Sequence, residues 1–229
     1  MLAGMSKRFE ELDFQASPIG DISLRRRLDP LLQRDVYEVK LGEEFLMSSL
    51  FTVAEQALAT LGLAAHSGTD LDVVVGGLGL GYTAGTALED PRVRALRVVE
   101  YLPPVIDWHQ RRLLPLSPAL ADDERCSFDQ RDFFQLDFAP ADVILLDVDH
   151  SPYHVLNPSH AGLYTAEGLA RLPLTPGGVF ALWSDDPPDE RFLEVLRSVF
   201  PYAEGHLVPF ANPLTGGESH NSVYVARGA

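Results

Sequence analysis

Cysteine is almost absent. Cys126 is the one thiol in 229 residues, so no intrachain disulfide can form, which fits a reducing, cytoplasmic setting. Long apolar runs are missing too: none reaches the ~18 residues needed to span a bilayer, so no membrane partner is expected. The opening stretch MLAGMSKRFEELDF has no apolar h-region, and no secretory signal is expected from it. Positive charge is scarce. Eighteen basic against 33 acidic residues give a formal net charge of −15, and such a surface repels phosphate backbones, so nucleic acid is not expected as a direct partner. The imbalance suits a cationic substrate, although acidity for solubility alone is the plainer reading. Internal repeats and low-complexity tracts are also lacking.

What is present is a core. Hydrophobic residues make up 46% of the chain, enough for one α/β domain with a small appendage. Residues 20–47 read as β structure, with GDISLRRRLD, RDVYEVKLG and EEFLMSS separated by turns at Asp29-Pro30 and Gly42-Glu43. Arg25, Arg26 and Arg27 would alternate between the two faces of a strand, and a solvated edge is expected for them. Residues 1–50 are assigned to this small β unit and 51–229 to a nucleotide-binding catalytic domain. Residues 51–62 have a helical pattern, with Gly62 as its stop. From residue 72 strands alternate with helices. Strands are expected at 72–76, 95–100, 125–130, 142–147 and 177–183, with helices at 80–89, 103–114, 161–172 and 187–200. This rhythm implies a doubly wound, Rossmann-like, mostly parallel sheet. Residues 203–209 and 221–227 follow as two strands joined through Gly216-Gly217 without a helix, so an antiparallel pair is expected at one edge.

Chemistry concentrates where strands end. In 72-DVVVGGLGLGYTAG-85 three valines run into Gly76, Gly77, Gly79 and Gly81. A strand, a glycine turn and a helix form a corner that accepts a nucleotide at the carboxyl edge of the sheet. Glu100 ends the next strand, where an acid accepts hydrogen bonds from ribose hydroxyls. Gly79-x-Gly81-x-x-Ala84 fits the dinucleotide fingerprint, and Gly77-x-Gly79-x-Gly81 fits the looser pattern of S-adenosylmethionine enzymes. Asp132, just past the third strand, can accept from an adenine amino group or cap a helix; the two roles are compatible. Asp147, Asp149, His150 and His154 crowd the end of DVILLD. Tyr164 is placed at a helix start facing the same crevice, and Trp108 and Trp183 are placed in the core or pocket wall.

From about residue 20 to 227 the chain resembles the spermidine synthase family of polyamine aminopropyltransferases, which carry a small N-terminal β unit before a class I methyltransferase-type fold. VVVGGLGLG resembles the family's glycine box, PRVRALRVVEYLPPVIDWHQ the stretch carrying its ribose-binding acid, and RCSFDQRDFF the stretch carrying its adenine-side acid. The resemblance puts these acids at Glu100 and Asp132. DVILLDVDHSP resembles the catalytic strand and loop, whose first acid falls on Asp147; GGVFALWSDDPP resembles the strand that brings an acid, Asp185, toward the amine; and Glu55 in LFTVAEQ resembles the acid of a Tyr-x-Glu element. Two departures stand out. The family's glycine box carries Asp where this chain has Gly79, and its Asp-Ser-x-Asp-Pro loop here reads Asp147-Val148-Asp149-His150-Ser151-Pro152. With Gly79 the loop resembles that of a methyltransferase, which must tolerate the carboxylate of S-adenosylmethionine.

The resemblance implies a transferase binding S-adenosylmethionine or its decarboxylated form, with Asp147, Asp185 and Glu55 in the chemistry. Gly77, Gly79, Gly81, Glu100 and Asp132 would hold the nucleotide, and Asp149, His150 and Tyr164 would meet a small-molecule acceptor such as a polyamine. It also implies a homodimer, for which the N-terminal strands offer an edge. The alternatives are a methyltransferase for a small molecule, since DVDHSPY also resembles an Asp-x-Asp-His/Lys-x-x-Tyr element of O-methyltransferases, and a non-catalytic nucleotide sensor. A magnesium site at Asp147 with Asp185-Asp186, or a transition-metal site drawing on Asp147, Asp149, His150, His154 and His160, finds weaker support. Pro152 and Pro158 argue against a helix that would align the histidines, and no metal is expected.

Overall fold

The computed structural model describes residues 8–229; the first seven residues of the expected N-terminal β unit lie outside it. Four antiparallel strands come first: β1 (Phe9–Ser17), β2 (Gly20–Asp29), β3 (Arg34–Leu41) and β4 (Glu44–Ser48), paired in that order. The Asp29 carboxylate accepts from the N–H groups of Leu31 and Leu32, and Gly42 takes a left-handed φ of 56°, so both expected turns form. No sequence pattern announces strand β1. Both of its phenylalanines face out, with Phe9 54% and Phe14 59% exposed, and Leu12 alone packs on the core, so the usual inward apolar alternation is missing. The arginines differ from expectation as well. Strand β2 lies between β1 and β3 rather than at an edge. Arg26 pairs with Glu10 at 2.7 Å, while Arg27 pairs with Glu38 at 2.7 Å and Asp29 at 2.9 Å. Inner-strand guanidinium groups need such partners because water does not fully reach them.

A seven-stranded sheet follows. Its strands are β5 (Leu71–Gly76), β6 (Val93–Glu100), β7 (Cys126–Gln130), β8 (Ala141–Leu146), β9 (Leu174–Ser184), β10 (Tyr202–Asn212) and β11 (Gly217–Arg227). Their spatial order is β10-β11-β9-β8-β5-β6-β7. Pairing is parallel from β7 through β9, and β11 and β10 close the other edge antiparallel. Because β6 and β8 flank β5 on opposite sides, the winding reverses at β5, where ligands dock in doubly wound folds.

Helices α1 (Val53–Ala64), α2 (Tyr82–Glu89), α3 (Pro103–Gln110) and α4 (Ser117–Ala121) precede β7, and α5 (Ala166–Leu169) and α6 (Glu190–Val199) follow β8. One face of the sheet packs Val73, Val75 and Val143 with Leu58 of α1, Ala84 of α2, Trp108 of α3, and Ile22, Leu24 and Val39 of the small sheet. The opposite face packs Val74, Ile144 and Phe180 with Leu169, Phe192 and Leu196. Strands buried on both faces explain the uninterrupted apolar runs.

Several helices depart from the expected bounds for visible reasons. Gly62 does not stop α1; it lies inside the helix, where a Cβ would sit 2.5 Å from Leu145 Cδ2 and 3.1 Å from Ala181 Cβ. Its lack of a side chain lets α1 lie close on the sheet. The helix expected to reach residue 114 ends at Gln110, and Arg112 turns left-handed with φ 59°. The stretch 161–172 is not one helix. A 3₁₀ turn over Pro158–Tyr164 is followed by the single turn of α5, which the Thr165 hydroxyl caps through Gly168 N–H. Pro187 and Pro188 precede α6 rather than begin it, and Asp189 caps it by accepting from Arg191 and Phe192. No helix among the described residues is long and apolar enough to cross a membrane.

Candidate functional site

The carboxyl ends of β6, β5 and β8 are stitched side by side. Gly77 N–H donates to the Val99 carbonyl at 2.9 Å, and Asp147 N–H to the Gly76 carbonyl at 2.8 Å. This brings the glycine loop, Glu100 and Asp147 to one edge. The glycines answer first to the protein itself. At Gly77, with φ 91°, a Cβ would lie 2.1 Å from the Asp147 carbonyl oxygen. At Gly81, also at φ 91°, it would meet Leu120 at 2.6 Å and His109 at 2.9 Å. Gly79, at φ 48°, lies under Met47 of β4, whose sulfur would be 3.2 Å from its Cβ. The small sheet thus reaches the glycine loop.

Glu100 is 8% exposed and binds the loop from behind. One carboxylate oxygen accepts from Leu78 N–H at 2.9 Å and the other from Leu102 N–H at 2.8 Å. Burial raises its pKa, opposed by these backbone donors. Asp132 follows β7, tied in by Arg131 N–H on the Glu100 carbonyl at 3.1 Å. It caps the 3₁₀ turn Phe133–Gln135, accepting from Phe134 N–H at 3.0 Å and Gln135 Nε2 at 2.9 Å. Asp132 keeps acceptor capacity, since each of its oxygens can take a second donor, whereas Glu100 also meets the backbone N–H groups of Gly79 and Tyr101.

The second group forms around Asp147. Thr83, on the first turn of α2, donates its hydroxyl to Asp147 Oδ2 at 2.7 Å and lies 3.3 Å from the Glu55 carbonyl oxygen. Glu55, on the first turn of α1, is close enough to feel the charge of Asp147. Both residues are only partly exposed, and the surrounding protein desolvates their carboxyl groups. Burial, then the neighbouring Asp147, pushes Glu55 up to about 8. Burial pushes Asp147 up to about 6 against the pull of the Thr83 hydroxyl. Two carboxyl groups in one poorly solvated place cannot both ionise cheaply.

The remaining candidates separate. Asp149, 1% exposed, accepts from Leu156 N–H at 2.7 Å, His160 Nδ1 at 2.8 Å and the Tyr164 hydroxyl at 2.7 Å. Burial and Asp149 hold the Tyr164 phenol well above its ordinary pKa. His160 also stacks on Phe134, ring centres 3.6 Å apart. These contacts brace the loop after β8. The side chain of His150 is exposed, and its carbonyl accepts from Asp185 N–H at 2.7 Å. Asp185, exposed at the end of β9, accepts from Asn221 Nδ2 at 2.7 Å. His154 lies 3.3 Å from Asp186, away from the Asp149–His160 pair. Among the described residues no three His, Cys, Asp or Glu side chains gather as a metal site. A cavity of about 330 Å³ lies at the end of β9, between Tyr153, Asp186, Asp189 and Tyr224. Neither Glu55, Asp147 nor the glycine loop lines it, so its size alone does not mark it as the reacting centre.

Two features leave no signal in the sequence. Thr83 joins the two carboxylate-bearing elements. His109, fully buried, meets the Gly79 carbonyl through Nε2 at 2.9 Å. Residues that bridge distant segments leave no local pattern. Trp108 is also fully buried, its indole N–H donating to Asp13 at 2.6 Å.

No protein-family model matches the sequence, and no curated protein does. Solved structures do match. A spermidine synthase in complex with the transition-state analogue AdoDATO aligns with TM-score 0.74 at 20% identity, over 96% of this chain and 74% of its own. The spermidine synthase from Thermotoga maritima aligns with TM-score 0.72 at 19% identity, over 96% and 73%. A probable spermidine synthase from Corynebacterium glutamicum ATCC 13032 aligns with TM-score 0.63 at 18% identity, over 94% and 79%. Identity this low speaks to architecture alone, and coverage this high includes both sheets. The chain therefore has the fold of the spermidine synthases, a methyltransferase-like sheet preceded by a small antiparallel one.

Proposed function

We propose that this protein is a spermidine synthase-like transferase that binds a sulfonium nucleotide of the S-adenosylmethionine type and transfers an aminopropyl group from it to an amine. The observation that carries this reading is the Glu55–Asp147 pair. Among the described residues its two raised carboxyl groups have no positive partner, and an ammonium ion supplies one. A cation beside the pair favours ionisation of both. The net charge of −15 favours approach of such a substrate.

The nucleotide's donors fit the acceptors on offer. Glu100 would take ribose hydroxyls and Asp132 an adenine amino group, with Gly77, Gly79 and Gly81 leaving room for the backbone to approach. The bound nucleotide would supply the electrophilic carbon and the leaving group, a neutral thioether released as the C–S bond breaks and the C–N bond forms. A primary ammonium has a pKa of ~10.4 and must lose a proton before its nitrogen can attack. Asp147 orients the ammonium and accepts that proton, and Thr83 holds the Asp147 carboxylate in place. Glu55 shares the cation's charge, and Asp185 meets the far end of a diamine. His150 contacts the acceptor from the exposed loop, which Asp149 and Tyr164 brace. A homodimer would pair through the small sheet.

One observation favours a second reading. The glycine loop carries no acid at position 79, where φ is 48° and Met47 lies close. A carboxylate-bearing nucleotide would meet no repulsion there, as methyl transfer requires. Calorimetric titration with S-adenosylmethionine and with its decarboxylated form tests both. Preference for the decarboxylated form supports aminopropyl transfer, and preference for S-adenosylmethionine replaces it with methyl transfer. Nucleotide binding without turnover on any amine or methyl acceptor would leave the sensor reading.

A further inference from the structure

The glycine loop is held by a buried chain of hydrogen bonds. His109, on the last turn of α3, is fully buried. Its Nε2 lies 2.9 Å from the Gly79 carbonyl oxygen. A carbonyl accepts only, so Nε2 carries the proton. The other ring nitrogen, Nδ1, lies 3.3 Å from the Ser117 hydroxyl, which is itself within 3.3 Å of Leu114 N–H. The direction of this chain is set by its two ends. Leu114 N–H donates to Ser117 Oγ, the Ser117 hydroxyl donates to Nδ1, and Nε2–H donates to Gly79. Ser117 is also fully buried, so water does not compete. The ring packs on Phe128, centres 5.9 Å apart, and under Gly81, where any side chain would strike it. Burial lowers the histidine's pKa, opposed only by its bond to Gly79, and the neutral form suits this arrangement.

We propose that His109 is a positioning residue of the nucleotide site, locked by Ser117 as the Nε2–H tautomer so that it holds the Gly79 carbonyl inward. This rests on the reading of the glycine loop as the nucleotide's seat. A peptide's C=O and N–H point to opposite sides. Turning the Gly79 carbonyl toward α3 therefore turns the Leu80 N–H away from it, to the other side of the loop. The left-handed turn at Gly79 is then set before any ligand arrives. A pre-set loop binds without an ordering cost.

The test compares His109→Gln, which keeps a donor near the Nε2 position, with His109→Leu, which keeps bulk and loses the donor, and with Ser117→Ala. Amide hydrogen exchange at residues 78–81 is measured without ligand, and nucleotide affinity by calorimetry. Loss of one buried hydrogen bond predicts about tenfold faster exchange and about tenfold weaker binding for His109→Leu, with His109→Gln close to the parent. In the parent, ¹⁵N shifts of the His109 ring should show a single Nε2–H tautomer, and Ser117→Ala should mix in the other. Parent-like exchange and affinity in His109→Leu overturn the proposal, as does an Nδ1–H ring. If His109→Leu fails to fold, a loss in His109→Gln as large as in Ser117→Ala overturns it. If the parent binds neither S-adenosylmethionine nor its decarboxylated form, the role in nucleotide binding falls with the site reading. Faster exchange in His109→Leu would then still support the hold on the loop.

Discussion

Asp147 accepts the Thr83 hydroxyl and faces Glu55, so an amide there removes the proton acceptor and keeps a partner for Thr83. Asp147→Asn is expected to lower kcat by ~10²-fold or more, the range for a lost general base, while calorimetry shows nucleotide affinity unchanged. An active variant would remove Asp147 from the chemistry. Glu100→Ala should instead weaken nucleotide binding whichever group is transferred, and unchanged affinity would refute that placement. Glu55 yields a prediction in pH. Its carboxyl group holds a proton more tightly in the folded chain than in the unfolded one, so folding loses stability as pH rises from 4.5 through about 8, and the full loss is felt above that. Glu55→Gln removes this loss. Urea denaturation should find the variant more stable than the parent at pH 9, by on the order of 1–3 kcal/mol, and close to it at pH 4. A difference that does not change with pH would show that the pair is not strained by charge. Gly77→Ala should destabilise by about 2 kcal/mol or more, because φ 91° and the Asp147 carbonyl both exclude a side chain.

Elements differ in how openly the sequence declares them. Strands β5 and β8 were plain, since burial on both faces demands unbroken apolar runs. The corner after β5 was plain because only glycine takes its turns readily. Strand β1 was not, because apart from Leu12 what it turns inward is polar: Asp13 meets Trp108 and Arg111, and Gln15 meets Asp107. Polar attachments do not alternate in hydropathy. Gly62 misled for a related reason. A glycine that ends a helix and one that lets a helix lie flat on a sheet look alike until the opposing Leu145 and Ala181 are known. Gly62→Leu is therefore expected to push α1 off the sheet and lower the melting temperature sharply, whereas a true helix stop would tolerate it. At α6 the cap was hidden behind two prolines. Asp189→Ala should cost about 1 kcal/mol by thermal or urea denaturation, since it leaves two backbone donors unmet.

The whole molecule joins its two sheets through a shared core. Ile22, Leu24 and Val39 pack in the same cluster as Val73 and Val143, and Met47 reaches Gly79. Removing residues 1–48 should thus expose the larger sheet's core, and circular dichroism should show loss of one cooperative melting transition. A truncated chain that melts as the parent does would show the small sheet to be an appendage. What the sequence by itself determined was local and periodic: the alternation of strands and helices, the antiparallel final pair, the glycine corner, and acids at Glu100, Asp132 and Asp147 near strand ends. Hydropathy period and backbone sterics act over a few residues, so they can be read along the chain. Only the tertiary structure decided which of these groups meet. It set Glu55 of α1 against Asp147 across Thr83, turned Asp149 into the brace of its own loop, and placed His109 beneath Gly79. Such pairings depend on how elements stack in space, and the charge felt by a carboxyl group depends on what surrounds it rather than on what precedes it.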